Sequence, residues 1–233
     1  MLKKLTGKAL IHTILIITSL LSIFPFIWLT STSLKGLGED IFAYPPHLIP
    51  SDFTWANYVD VWHRVNFMGY FWNSVIVAAL TVILNLVLSS LAAYPLARMS
   101  FKGKKFFFFA ILATIMIPFQ AIMLPVYIIT LKLHLIDSVN NVMGYIGLVM
   151  PFAVSAFGIF LMRQAFIKVP KEVEEAAIVD GCNVFQMFTK VVIPMVKPTL
   201  AVLAVFTFIG SWGEFLWPSI MLTKDAMYTL PVG

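Results

Sequence analysis

Between Pro170 and Gly181 the chain reads Lys171-Glu172-Val173-Glu174-Glu175-Ala176-Ala177-Ile178-Val179-Asp180, which gathers four of the eleven acidic residues into one short stretch. Pro170 suits the first position of a helix, where no backbone N–H is needed. Glu172, Glu174 and Glu175 then face the positive end of the helix dipole. Ala176 and Ala177 are small enough for another surface to approach closely, and Gly181 stops the helix because it tolerates a left-handed backbone. Asn183 with Gln186 three residues on makes a capping-box-like start for a second helix. Val184, Phe188 and Val191 fall on one face of that helix, and Pro194 marks entry to an apolar segment. Two readings of this acidic knob are open: an amphipathic hairpin on the membrane surface, or a docking element. Three clustered acids are poor company for an anionic leaflet, which favours docking.

The remaining chemistry-bearing residues exclude most enzyme classes. There is no GxxxxGK[ST] phosphate loop, no HExxH and no GxSxG. No catalytic residue is therefore assigned, and whatever energy drives the protein is not harvested within this chain. His12, His47, His63 and His134 lack mutual ligand spacing, so no metal site is expected, and the single Cys182 rules out an internal disulfide or a CxxC pair.

The elements that must carry the knob are set by composition. Of 233 residues, 60% are hydrophobic and 12% charged, with mean hydropathy +0.92. Soluble domains carry about 25% charge, so there are too few polar side chains to cover a globule. Apolar segments at about 10–30, 71–96, 106–131, 142–162 and 199–222 each exceed the ~20 residues needed to cross a bilayer as helix. The expected fold is all-α, a polytopic transmembrane helix bundle forming one domain over 1–233, with a cytoplasmic loop at about 163–198. Lys3, Lys4 and Lys8 precede an uncleaved first anchor. Twelve of the sixteen Lys and Arg residues fall on one side, which puts the amino terminus and the loops at 98–105 and 163–198 in the cytoplasm. The net charge of +5 follows membrane topology, not a nucleic-acid partner.

Outside the membrane, residues 31–69 combine turn chemistry (Tyr44-Pro45-Pro46, Ile49-Pro50-Ser51-Asp52) with aromatics, so a packed cap is expected. Pro25, Pro118, Pro125 and Pro151 lie inside spans, each removing a helix hydrogen bond. Phe106–Phe109 beside Lys102, Lys104 and Lys105 form an interfacial anchor.

Glu175-Ala176-Ala177, Asp180-Gly181, and then Val191, Ile193 and Pro194 resemble the EAA signature of binding-protein-dependent ABC importer permeases. Val191 and Ile193 replace the usual isoleucine and leucine. Pro25-Phe26 with Trp28, Trp55-Ala56-Asn57-Tyr58, Asn73-Ser74, Ala93-Tyr94 with Ala97-Arg98, and Trp212-Gly213-Glu214-Phe215 are similar to the carbohydrate-uptake, maltose-transporter-type branch. Gly213 stands where that branch carries asparagine.

The resemblance implies a type I importer permease of the bacterial inner membrane, with the EAA loop as coupling helix. It implies a second homologous permease, an ATPase subunit dimer holding ATP and magnesium, and an extracytoplasmic solute-binding protein; no cofactor is implied in this chain. Glu175 would then make the principal polar contact to the ATPase, Ala176 and Ala177 the close packing, and Gly181 the bend. The branch has a sixth span beyond the point where this sequence stops, so five spans are expected, with a sixth missing.

Candidate substrate-path residues are Asn73, Ser74, Gln120, Trp212, Glu214 and Phe215. For Asn73, Ser74 and Gln120, interhelical hydrogen bonding explains the polar side chain as well as sugar contact does. Glu214 would sit about 22 Å along a helix starting at Thr199, either facing the substrate path or reaching interfacial water beside Trp212 and Trp217. An ion-driven secondary transporter would need paired ionisable groups at midplane, and apart from Glu214 the spans offer almost none. A third reading is a non-transporting remnant that acts only in assembly.

Overall fold

The computed structural model describes residues 2–41, 43–44, 47–136 and 141–233, and Pro45 and Pro46 of the expected turn, like the side chains of Lys3 and Lys4, fall outside that description. Among the described residues the regular structure is all-helical, with one isolated antiparallel bridge between Lys35 and Phe53. The chain divides into two compact units, 1–66 and 67–233.

The first unit holds α1 (Leu2–Ser33) and α2 (Ala56–Arg64). Leu10–Ser33 is long and apolar enough to cross a membrane alone. Pro25 lies inside α1 without ending it. The segment between α1 and α2 folds back on itself. The Gly36 N–H donates to the Asp52 carbonyl at 2.8 Å and the Thr54 N–H to the Leu34 carbonyl at 2.9 Å. The Lys35 ammonium is buried 5.3 Å from the Trp28 ring centroid and 3.5 Å from the Glu39 carboxylate. Asn57 donates to the Ser33 and Lys35 carbonyls at 3.0 and 2.7 Å, which closes the exposed end of α1. The carbonyls at a helix C-terminus lack intrahelical partners, and the Asn57 amide supplies one.

The second unit is built on α3 (Phe67–Arg98), the other helix long and apolar enough to cross alone. Around it lie α4 (Lys104–Thr114), α5 (Phe119–Lys132), α6 (Asn141–Val149) and α7 (Ala156–Lys168). They are followed by α8 (Lys171–Val179), α9 (Val184–Met195), α10 (Lys197–Trp212) and α11 (Leu216–Met221). Three further helix pairs reach crossing length only when each bent pair is taken as one span: α4 with α5 (96°), 142–152 with α7 (59°), and α9 with α10 (79°).

Proline chemistry places several breaks. Pro118 cannot donate to the Thr114 carbonyl, and α4 ends at Thr114. Pro218 likewise cannot reach back to Glu214. The stretch 199–222, read from its composition as one span, is therefore helical to Trp212, unwound over 213–215, and helical again from Leu216.

α3 packs most extensively on α7 and α10. One apolar cluster, including Tyr94, Met162, Phe166, Phe188 and Val192, fills the end of α3 near Arg98, and another, around Val77, Leu148, Trp217 and Met221, fills the opposite end. A buried polar seam runs along α3: Asn73, Ser74, Thr81, Asn85, Ser89 and Ser90. Gly158 lets α7 approach this seam. A Cβ at that position would stand 2.7 Å from Ser89 Oγ and 2.9 Å from Asn85 Oδ1.

Candidate functional site: an anchored acidic knob and a polar cleft

The knob expected from the sequence exists as α8 and the start of α9, joined at Gly181. Helix α8 ends in a Schellman arrangement: the Gly181 N–H donates to the Ile178 carbonyl at 3.0 Å and the Cys182 N–H to the Ala177 carbonyl at 2.9 Å. Gly181 has φ +81, a backbone that an L side chain rarely adopts. Asn183 and Gln186 complete the capping box, each side chain accepting from the other's backbone N–H, at 2.9 and 3.0 Å.

The acids divide the work. Glu174 pairs with Arg98 at 2.9 Å, with side-chain exposures of only 15% and 9%, while Glu172 and Glu175 project outward. Arg98 also donates to the Val169 carbonyl. The two alanines separate in the same way: Ala177 is buried in the Tyr94–Phe166–Phe188 cluster and Ala176 is exposed. Asp180 is the exposed C-cap of α8. The aromatic interior is tight, with Tyr94 edge-on to Phe188 at 5.1 Å and to Phe166 at 5.8 Å.

The carbonyls ending α3 meet cations from neighbouring helices. Arg163 donates to the Leu96 carbonyl, and Lys104 to those of Ala97 and Met99, at 2.9 to 3.0 Å. Cations are favourable at a helix C-terminus, so this end of α3 is a rigid base for the knob.

The second knob helix keeps two of its three expected face residues: Phe188 is buried and Val191 packs, partly buried, on the same cluster. Val184 is 57% exposed, whereas Met187, Phe188 and Val192 are buried. Residues Met187–Val192 form a π-helical turn. Each π turn carries an extra residue, and Met187 and Val192 join Phe188 on the buried face. Pro194 is exposed just beyond this turn, before the 79° bend into α10.

The other residue set flanks a cleft of about 540 Å³ between α3, the α4–α5 break, α7, α10 and α11. Of the sequence-selected residues, Ser74 and Glu214 line it. Asn73 does not. It is buried, donates to the Ala226 and Tyr228 carbonyls at 2.9 Å each, and accepts from the Tyr145 hydroxyl at 2.6 Å. Ser74 accepts from the Leu230 N–H at 2.8 Å, so both residues anchor the segment after α11.

Gln120 is exposed in the first turn of α5. Trp212 stacks on Phe208 at 5.4 Å, and Phe215 is half-exposed. Glu214 sits in the unwound break, where its Oε1 accepts from the Trp217 N–H at 3.1 Å.

Sequence reasoning passed over Thr81, Asn85 and Ser155, which line the cleft. Asn85 donates to the Phe152 carbonyl at 3.0 Å and its Oδ1 accepts from Ser89 and Ser155. The four-residue spacing of Thr81, Asn85 and Ser89 within an apolar run was the available signal.

A membrane helix bundle with an outward acidic knob at one end and a polar cleft within it has the build of a transport permease. Residues 85–232 match the family described as binding-protein-dependent transport system inner membrane component. The chain is 36% identical over 185 residues to the arabinooligosaccharides transport system permease protein AraQ of Halalkalibacterium halodurans, covering 79% of this chain and 64% of that protein. It is 34% identical to AraQ of Bacillus subtilis, over 92% of this chain and 75% of the relative. A crystal structure of a bacterial ABC transporter that imports the acidic polysaccharide alginate superposes with TM-score 0.81 at 28% identity, covering 97% of this chain and 77% of that one. The chain belongs to this permease family. It is a multi-pass membrane component of a transport system, not an enzyme.

Proposed function

We propose that the chain is the permease subunit of an ATP-driven importer for a sugar or sugar-like solute, and that α8 and the start of α9 are its coupling element. The observation that carries this reading is the division of the knob into an anchored and a projecting half. Arg98 and Glu174 fasten α8 to α3, while Glu175, Ala176 and the apolar Ile178, Val179, Val184 and Phe185 are exposed. Val179 is 87% exposed. An apolar patch of this kind rimmed by acids is a docking surface. A short, anchored element transmits displacement where a floppy loop would absorb it.

The partner proposed for that surface is a cytoplasmic ATPase dimer, which binds the ATP and magnesium. A second, homologous permease supplies the opposing knob, and an extracytoplasmic binding protein delivers the solute. The amino terminus and the knob then face the cytoplasm. ATPase closure draws the two knobs together and reorients the cleft from inward-facing to outward-facing. Sugars are proposed as solute because the cleft offers hydroxyls, an amide and the aromatic Phe119 and Trp217, and because relatives are named for carbohydrates.

The test is co-purification and uptake in Glu175→Ala and Gly181→Pro. Proline cannot adopt the positive φ of Gly181. Both variants should insert normally and lose most ATPase association and solute uptake. Parental uptake with parental ATPase binding in both would overturn the reading.

A further inference from the structure

Relatives leave the charge of the solute undecided, since arabinooligosaccharides are uncharged and alginate is acidic. The cleft in this chain bears on the question. Among the side chains that line it, Glu214 alone is ionisable. The other polar groups there are serine and threonine hydroxyls and the Asn85 amide, which already donates to the Phe152 carbonyl. No Lys, Arg or His lines it among the described residues.

Glu214 is also held in place. Its Oε1 is tied to the Trp217 N–H at 3.1 Å, in a break that Pro218 enforces. A half-buried carboxylate between apolar walls acts through a medium of low dielectric, where charge–charge repulsion is several-fold stronger than in water. An anion entering this cleft meets that repulsion and no cation to offset it. Neutral polyols meet only hydrogen-bonding partners, and cations are attracted.

We infer that Glu214 makes the cleft anion-excluding, so that the solute passed by this subunit is uncharged or cationic: a neutral or amino-bearing sugar, not a phosphorylated or carboxylated one. The inference rests on the reading of the cleft as solute path.

The experiment places a cysteine beside the carboxylate, Ser211→Cys in a Cys182→Ser background, within the assembled transporter in open membrane fragments. Any charges from the other subunits are thereby included. Three methanethiosulfonate reagents of similar size, one neutral, one ammonium-bearing and one sulfonate-bearing, are compared by labelling rate. Any effect of Glu214 on thiol reactivity is common to all three and cancels in their ratios. The ammonium reagent should exceed the sulfonate on the order of tenfold, and Glu214→Gln should bring the ratio close to one. Thr207→Cys, one turn earlier on α10, should show the same preference more weakly, and it serves if the first variant folds poorly. Equal labelling by all three reagents with Glu214 present overturns the exclusion and leaves the path reading standing. Failure of even the neutral reagent to label either position overturns the path itself.

Discussion

The guanidinium of Arg98, at the end of α3, lies 2.9 Å from the carboxylate of Glu174 on α8, with both side chains largely shielded from solvent. One acid of the cluster is thus consumed in fastening the knob to the longest helix of its unit, while its neighbour Glu175 projects outward. The knob is thereby tied to α3, the helix that supplies the Ser74, Thr81 and Asn85 wall of the cleft.

Removing one member of this pair leaves the other shielded and uncompensated, which costs about 3 kcal/mol for a buried pair. Arg98→Ala should therefore loosen α8, seen as faster amide hydrogen exchange over 171–179, with transport falling further than the amount of assembled complex. Replacing both partners, as Arg98→Met with Glu174→Leu, should restore much of the exchange protection. Unchanged exchange in Arg98→Ala would show that the knob is held by its aromatic cluster alone.

Asn73 makes three hydrogen bonds to its own chain. Asn73→Ala strands two carbonyls and a tyrosine hydroxyl. With each unsatisfied buried group costing about 1–3 kcal/mol, the purified protein should melt several degrees lower. The KM for solute should stay unchanged, because the side chain does not line the cleft. A raised KM at an unchanged Tm would return Asn73 to the solute path.

Burial pushes the Glu39 carboxyl upward, but the Ser51 and Asp52 N–H groups and the Lys35 ammonium outweigh it, and the pKa lies below the usual value. A folded-state pKa below the unfolded one gives stability that is present above the unfolded pKa and is lost as pH falls through the folded one. The stretches 34–41 and 47–54 should be protease-resistant at neutral pH and become susceptible once pH drops below the ordinary carboxylate range. Glu39→Gln should be more susceptible at neutral pH and should lose this pH dependence. Parallel pH profiles for the two proteins would contradict the assignment.

Local chemistry is legible in the sequence. The apolar segments, the Gly181 stop, the Asn183–Gln186 box and the break at Pro118 depend on residues within a few positions of one another, so periodicity and capping rules reach them. In α9 the sequence placed Phe188 and Val191 on the packed face, but not the outward turn of Val184 or the burial of Met187 and Val192, which come with the π turn at Met187–Val192. The motif singled out Glu175 but gave no role to its neighbour Glu174. Only the position of Arg98 makes the first an anchor and leaves the second exposed.

The same division holds in the cleft. Composition marks Asn73 and Ser74 as polar residues in an apolar run, yet their partners lie at 226–230, far along the chain. Asn85, marked locally only by its spacing from Thr81 and Ser89, lines the cleft beside Gly158, where α7 comes close to it. Helix existence and helix ends are short-range properties written in neighbouring residues. Which polar group is spent on the fold and which is left facing a cavity is a long-range property, settled when distant helices exclude lipid and water from the space between them.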